Sequence, residues 1–515
     1  MSKFIKGTMI LMLAGLLTRL LGFINRIVIN RMIGEEGVGL YQMAFPTLIL
    51  VVTLTQIGLP VAISKAVAEA EAKGDQKKIK KILVVSLAVT ISLSLIFTPA
   101  LILAAPFLST TLFTDPRTYY PLVAIAPIIP VVAISSVIRG YFQGKQNMKP
   151  AAVSQVLEQA VRIILIALMA KKFLPLGIEY AAAAAMVASV LGELASLAYL
   201  FAMFKVKKKF PIRRNFFKSV QSGKKTLKEL MNVAIPTTGS RLIGSLSWFF
   251  EPIVVSQSLF IAGVAAGIAT RQYGLLTGYA LPLLMLPSFI TYSLSTALVP
   301  AISEANANRN YRLVEYRLQQ ALKFALLSGG LAVVILYVYA NPLMTLMYGS
   351  SNGAEFIKLI APLFIFHYYQ GPLQAILQAL DLAKAAMINS MIGNAVKIGV
   401  IFILASRPDF GINGAALGIA GGTVLITMLH YATVLKHVQF TVYLAHYAKF
   451  FVAAFLAGIG GTFIYSHLFI DESLVLQLIV GVLLTSLLYV LLLLFFKLIQ
   501  KSDVERFPIF RSIFK

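Results

Sequence analysis

Residues 14–30 read AGLLTRLLGFINRIVIN, a lipid-compatible run that nevertheless carries Arg19 and Arg26. A cation held in mid-bilayer costs between about 2.5 and 17 kcal/mol, so such a residue faces a wet interior and a task. At helical spacing Gly15, Arg19, Gly22 and Arg26 share one face. That face offers two small residues for close helix approach and two long donors for an anion. At ~1.5 Å per residue from Gly7, Arg19 lies roughly 18 Å along the helix, just past the midplane of a ~30 Å core. Snorkelling from a helix end is the alternative reading, and it suits Arg26 better than the deeper Arg19.

Outward from this run the pattern repeats. The chain is 58% hydrophobic and only 13% charged, and apolar runs of about 20 residues recur along its length. Alternating strands of barrel type are absent from the pattern. The fold class expected is an all-α polytopic membrane protein with fourteen helices. They fall at 7–30, 38–64, 80–108, 118–142, 151–171, 179–204, 229–256, 267–302, 318–341, 354–380, 384–406, 412–435, 447–468 and 473–499. The segment 267–302 is long for one span and contains Pro282 and Pro287, so a tilt or bend is expected there. The N-terminus resembles a signal peptide, but its apolar stretch runs on into the arginines without a cleavage pattern, which predicts a retained helix.

The net charge of +25 has a positional explanation. Basic residues crowd alternate loops: Lys65–Lys81, Arg139–Lys149, Lys205–Lys228, Arg309–Arg317 and the tail from Lys497. The intervening loops hold few, such as Arg117, Arg271 and Arg407. This asymmetry predicts that both termini are cytoplasmic and that anionic lipids attract the basic loops. No basic stripe on a soluble domain remains for nucleic acid. Cysteine is absent, which excludes disulfides and thiol chemistry. No phosphate-binding loop, zinc signature or nucleophile elbow occurs, so neither an enzyme nor a metal or other cofactor is expected. The five histidines are scattered, as suits packing or interfaces.

The two halves echo each other. Thr18-Arg19-Leu20-Leu21-Gly22 returns as Ser240-Arg241-Leu242-Ile243-Gly244, and Ala62-Ile63-Ser64 returns as Ala301-Ile302-Ser303. Gln143, Lys149, Arg162 and Ile163 match Gln378, Lys384, Lys397 and Ile398 at a constant offset, and Gly177-Ile178 matches Gly411-Ile412. The expected plan is two six-helix repeats forming N- and C-lobes around a central cavity, plus two C-terminal helices. The first repeat occupies 1–204, a basic cytoplasmic linker 205–228, the second repeat 229–440, and the helix pair with its tail 441–515. Even-numbered repeats insert with the same orientation, which places the site between them.

Arg19 and Arg241 occupy matching positions, so both can project into one cavity, joined by Arg26, or each can satisfy groups within its own lobe. Asn25 and Glu251 are the further polar candidates; Glu251 can pair with an arginine, bind a coupling cation, or act structurally. Glu158 and Glu193 are the other deep acids, with structural pairing favoured. Arg271 is read as a gate residue or as interfacial. Prolines such as Pro46, Pro60, Pro236, Pro252, Pro282, Pro287 and Pro300 mark hinges or permanent kinks in the first two helices of each repeat.

The T-R-L-L-G-F run, the A-I-S-K-A end of the second segment and the duplicated plan resemble the multidrug/oligosaccharidyl-lipid/polysaccharide exporter superfamily. Within it the likeness is to the polysaccharide synthesis and transport branch, related to MurJ-type lipid II flippases. A MurJ-like first helix reads S-R-x-L-G-F-A-R-D; here Asn25 replaces its second arginine and Arg26 its aspartate, while Arg19 matches. Residues 46–58 carry no charge, so the second-segment arginine of such flippases has no counterpart. The resemblance implies transport of an undecaprenyl-pyrophosphate-linked saccharide across the cytoplasmic membrane, for spore-cortex peptidoglycan. Cell-wall synthesis proteins are the protein partners expected. A cation-coupled drug exporter of the same superfamily is the alternative, as is another lipid-linked polysaccharide precursor as cargo. Arg19, Arg26 and Arg241, with no acid in the first segment, disfavour a cationic cargo.

Overall fold

The computed structural model of the protein describes residues 3–207, 222–438, 444–468 and 472–499, and no strand occurs among them. Lys208, Lys209, Arg213, Arg214 and Lys218 of the linker, and Lys501, Arg506, Arg511 and Lys515 of the tail, lie outside the described residues. Helix α1 runs Lys3–Gln56, α2 Leu59–Ala72, α3 Gln76–Phe107, α4 Tyr119–Ile125, α5 Ile128–Gly144, α6 Lys149–Phe173 and α7 Ile178–Lys207. Then come α8 Lys224–Ile261, α9 Ala266–Gly274, α10 Leu281–Met285, α11 Ser288–Ala307, α12 Tyr311–Val338 and α13 Ala340–Tyr348. The chain ends with α14 Ala354–Ala379, α15 Ala383–Ala405, α16 Gly411–His437, α17 Leu444–His467 and α18 Leu474–Phe495.

Every expected segment coincides with one of these helices or a broken pair. Among the described residues ten helices are long and apolar enough to cross a membrane, or eleven with a bent pair counted as one span. The protein is therefore an all-α, multi-pass membrane protein. The segments at 229–256 and 354–380 are helical but fall outside that group.

The breaks correct the sequence reading. No loop separates the first two segments: only Gly34, at φ 70° and ψ −178°, leaves helical geometry inside α1. Glycine takes that conformation without a Cβ clash. The second segment instead breaks at Ile57 and Gly58, with φ of 39° and 62°, just before Pro60. Pro46, Pro236 and Pro252 sit inside continuous helices. The bend expected in 267–302 is present: α9–α10 and α11 meet at 54°, at Leu286 and Pro287, after a π-helical stretch at Leu275–Ala280.

The chain forms two compact units. One runs to Gly278 and includes Ala405–Ile412; the other comprises Tyr279–Leu404 and the chain from Asn413 onward. In the first, α2 lies on α5 where Gly140 and Gly144 allow it. A Cβ on Gly144 would stand 2.6 Å from the Ser64 carbonyl oxygen, and one on Gly140 would stand 2.9 Å from that of Pro60. In the second, the matching Ser303 of α11 donates to the Ala379 carbonyl of α14 at 3.3 Å. The repeat shows again between later helices. A Cβ on Gly192 of α7 would meet Arg162 Cβ of α6 at 3.2 Å, and one on Gly422 of α16 would meet Lys397 Cβ of α15 at 2.5 Å. Small residues set these approaches because lipid supplies little drive for helices to pair, so backbone contact must.

Candidate functional site

The lysine-rich connections mark one end of the first unit. There Lys78 pairs with Glu229 at 3.2 Å and Lys145 with Glu71 at 3.4 Å, joining the ends of α2, α3, α5 and α8. The opposite end carries the Gly34 turn, the connection from α3 to α4, and the start of α9. These three meet in a seal built from glycine contacts, carbonyl bonds and ion pairs.

The glycines come first, because they set the distance. A Cβ on Gly39 would lie 2.0 Å from the Thr270 carbonyl oxygen. One on Gly274 would lie 2.3 Å from that of Glu35, and one on Gly278 would lie 2.2 Å from Val38 Cγ1. With backbones so near, amide side chains span the gap: Asn30 donates to the Gly278 carbonyl and Gln42 to the Thr277 carbonyl, each at 2.9 Å. Ser256 of α8 donates to the Phe113 carbonyl and bonds Thr114 Oγ1, and Gln257 donates to the Leu112 carbonyl at 3.1 Å.

Charges cap this seal. Arg117 grips Asp115 through one edge with two bonds, Nε to Oδ1 at 3.0 Å and Nη2 to Oδ2 at 2.8 Å. The same Nη2 reaches Glu36 Oε1 at 2.7 Å, and Thr270 Oγ1 donates to Asp115 Oδ2 at 2.7 Å. Beside them Arg271 Nε donates to Glu35 Oε2 at 2.6 Å. Burial pushes the Asp115 carboxyl upward, but bonds from Arg117 and Thr270 outweigh it and hold its pKa below the ordinary aspartate value.

The other predicted residues fall elsewhere in the same unit. Arg19 on α1 and Arg241 on α8 are exposed, Arg26 is half-buried, and Asn25 and Glu251 are buried. Asn25 Oδ1 meets no hydrogen-bond partner among the described residues. The expected use of Gly15 and Gly22 for helix approach is not what the structure shows: a Cβ on either would have nothing within 4 Å. The same holds for Gly239 and Gly244 beside Arg241. These glycines therefore face open space and not the backbone of a neighbouring helix. Arg271 joins the seal through Glu35.

Sequence reading missed Glu35, Glu36, Asp115 and Arg117. Their signal was the placing of three acids at Gly34 and before Pro116, in connections otherwise poor in charge. It also placed Arg139 in a loop, whereas α5 continues to Gly144 and buries that side chain among α6 and α7.

Fold and site define a helical, multi-pass membrane protein in which α1 is sealed against α9 at one end and bears an exposed arginine, Arg19, elsewhere along its length. Two family models match it: polysaccharide biosynthesis protein over residues 4–306 and MatE over 277–403. The chain belongs to the polysaccharide biosynthesis protein family. It is 59% identical to stage V sporulation protein B of Bacillus subtilis (strain 168), over 98% of both chains. It is 29% identical to the lipid II flippase MurJ of the same organism, over 81% of this chain and 80% of that one. Among solved structures, a lipid II flippase MurJ in an inward closed conformation superposes with a TM-score of 0.68 at 16% identity, covering 95% of this chain and 99% of that one. An inward-facing multidrug resistance MATE family transporter gives 0.64 at 18% identity, covering 82% and 94%.

Proposed function

We propose that this protein flips an undecaprenyl-pyrophosphate-linked saccharide, a lipid II-like peptidoglycan precursor for the spore cortex, across the cytoplasmic membrane. The observation that carries this reading is the pair of repeat-related arginines, Arg19 and Arg241, each exposed beside glycines that nothing covers. A planar guanidinium binds a pyrophosphate through two parallel bonds, which suits an anionic headgroup better than a cationic drug. Arg26 adds a third donor on the same helix, with Asn25 and Glu251 as further polar groups of the path. The relatives named for sporulation and for lipid II flipping support the cargo class.

Both termini lie in the cytoplasm in this reading, with repeats at 1–204 and 229–440, the basic linker 205–228 and the terminal pair 441–515. Anionic lipids then meet the lysine-rich end, and the seal of Gly39, Thr270 and Arg271 lies at the outer surface. Release of cargo requires that α9 part from α1 there, so the seal is the outer gate and Arg271 a gate residue. Proteoliposomes loaded with fluorescent lipid-linked precursors of different headgroups test the proposal. Pyrophosphate-linked saccharides should become accessible to an external quencher, and Arg19→Ala and Arg241→Ala should abolish that signal at equal protein content. Equal flipping by wild type and both variants, or flipping of lipids without phosphate, would overturn it.

A further inference from the structure

A buried charge cluster inside the first unit, between α5, α6 and α7, plays no part in the seal or the arginine face. Arg139 Nη2 on α5 donates to Glu193 Oε1 and Oε2 on α7 at 3.1 and 3.3 Å. The same nitrogen reaches Glu158 Oε2 on α6 at 3.4 Å and Ser196 Oγ at 2.8 Å. Arg162 donates to the other oxygen of Glu158, and Ser135 donates to Glu193. The side chains of Arg139, Arg162, Glu158 and Glu193 are 18%, 14%, 13% and 3% exposed.

With two arginines and two glutamates ionised the cluster is neutral, yet its geometry is not that of a closed ionic quartet. Both carboxylates crowd onto one nitrogen of Arg139, while its Nε and that of Arg162 meet no acceptor among the described residues. A guanidinium that held two ionised acids at full strength would present an edge to each. Like charges drawn to a single donor in a dry site are instead placed to share a proton. Ionisable groups at this depth mark proton or ion paths. Of the other elements against these helices, α1 carries Arg19, Arg26, Arg31, Glu35 and Glu36, α2 carries Lys65, Glu69 and Glu71, α3 carries Lys77, Lys78, Lys80 and Lys81 at its start, and α4 carries Tyr119 and Tyr120.

We propose that Glu193, in partnership with Glu158, is an exchangeable proton-binding site. A proton from water adds to a Glu193 carboxylate oxygen, the cluster charge rises from zero to +1, and the Glu193 bond to Arg139 loses its ionic component. Arg139 then holds Glu158 alone, and the tie between α5 and α7 loosens. Proton occupancy thereby biases the helices that line up with α1, so a pH gradient drives the cycle.

Infrared difference spectroscopy of the full chain in lipid nanodiscs, titrated between about pH 5 and 9, reads the site without any cargo. The carbonyl band of a protonated carboxylic acid should appear and titrate in wild type, vanish in Glu193→Gln, and titrate at a different pH in Glu158→Gln. Where Glu193→Gln fails to fold, the Glu158→Gln titration decides. The absence of a titrating band, or an identical titration in Glu158→Gln, overturns the proposal and leaves a static ion cluster. A second arm rests on the flippase reading: with a fluorescent undecaprenyl-pyrophosphate sugar, a pH gradient should speed wild type several-fold and leave Glu193→Gln unaffected. A titrating band without any flipping would fail the flippase reading alone, and flipping without a titrating band would fail the proton site alone.

Discussion

Arg117 and Arg271 both hold carboxylates at the seal, but burial separates their consequences. Asp115 is 2% exposed and gripped through two parallel bonds, so Arg117→Ala leaves a buried, unpaired carboxylate at a cost of about 3–5 kcal/mol. Arg271 is 54% exposed, and its pair with Glu35 contributes about 0–1 kcal/mol. Melting in detergent should therefore drop by several degrees for Arg117→Ala and hardly move for Arg271→Ala; the reverse order would show that the seal is organised around Glu35. Because the Asp115 pKa is depressed, its contribution is complete above the ordinary aspartate value and is lost as pH falls through the lower folded value. Stability should thus be flat near neutral pH and fall only below about pH 4, with Asp115→Asn reducing that acid limb. In the arginine face, Arg19→Lys should restore only part of the flipping that Arg19→Ala removes, since an ammonium lacks the flat two-pronged fork. Full rescue by lysine would mean that the face needs charge and not geometry.

The elements that decide conformation are α1 and α9, because their backbones touch. Gly39→Ala or Gly274→Ala would force a methyl to within 2.0 or 2.3 Å of a carbonyl oxygen, so neither helix can stay where it is. Both variants should wedge the seal apart and raise labelling of residues beneath it from the outside, whereas Gly15→Ala, in open space, should leave labelling unchanged. The converse perturbation is a tether. The chain has no cysteine, so Glu35→Cys with Arg271→Cys supplies the two thiols for a short bifunctional reagent without background. Once tethered the seal cannot part, and flipping should stop; flipping that persists with the tether complete would place the exit elsewhere. Gly34 and Gly58 are the hinges on which α1 and α2 can follow, since both hold φ values that a side chain resists.

For the whole molecule the orientation is the quantity to measure. Cysteines placed at Gly74, Ser222 and Ser502 should react only with reagents that reach the cytoplasm, and one at Ser351 should react from outside. External labelling at 222 would invert the map and turn the seal into an inner gate. The packing of α2 on α5 and of α11 on α14 keeps the register of the sequence echo, whereas Gly192 of α7 and Gly422 of α16 reach matching cations, Arg162 and Lys397, from positions about one helical turn out of that register. Substituting Gly422 by leucine should therefore destabilise the second unit as Gly192→Leu does the first, each measured by melting, because each glycine admits the stem of a long cation.

The sequence alone determined the helical class, the position of nearly every segment, the echo between halves and the singular arginine face, because hydropathy and periodicity are sums over neighbouring residues. The bend at Pro287 was legible for the same reason. Which charge meets which was not. Glu35 and Arg271 are 236 residues apart, and Arg139 lies 54 residues from Glu193, so no local pattern pairs them. Gly22 and Gly39 look alike in sequence, yet one faces open space and the other stands against the Thr270 backbone. Periodicity tells which face a residue occupies, but only the packed helices decide what stands opposite it. In this protein that choice set the open glycines of the first helical segment, Gly15 and Gly22, apart from the sealed Gly39.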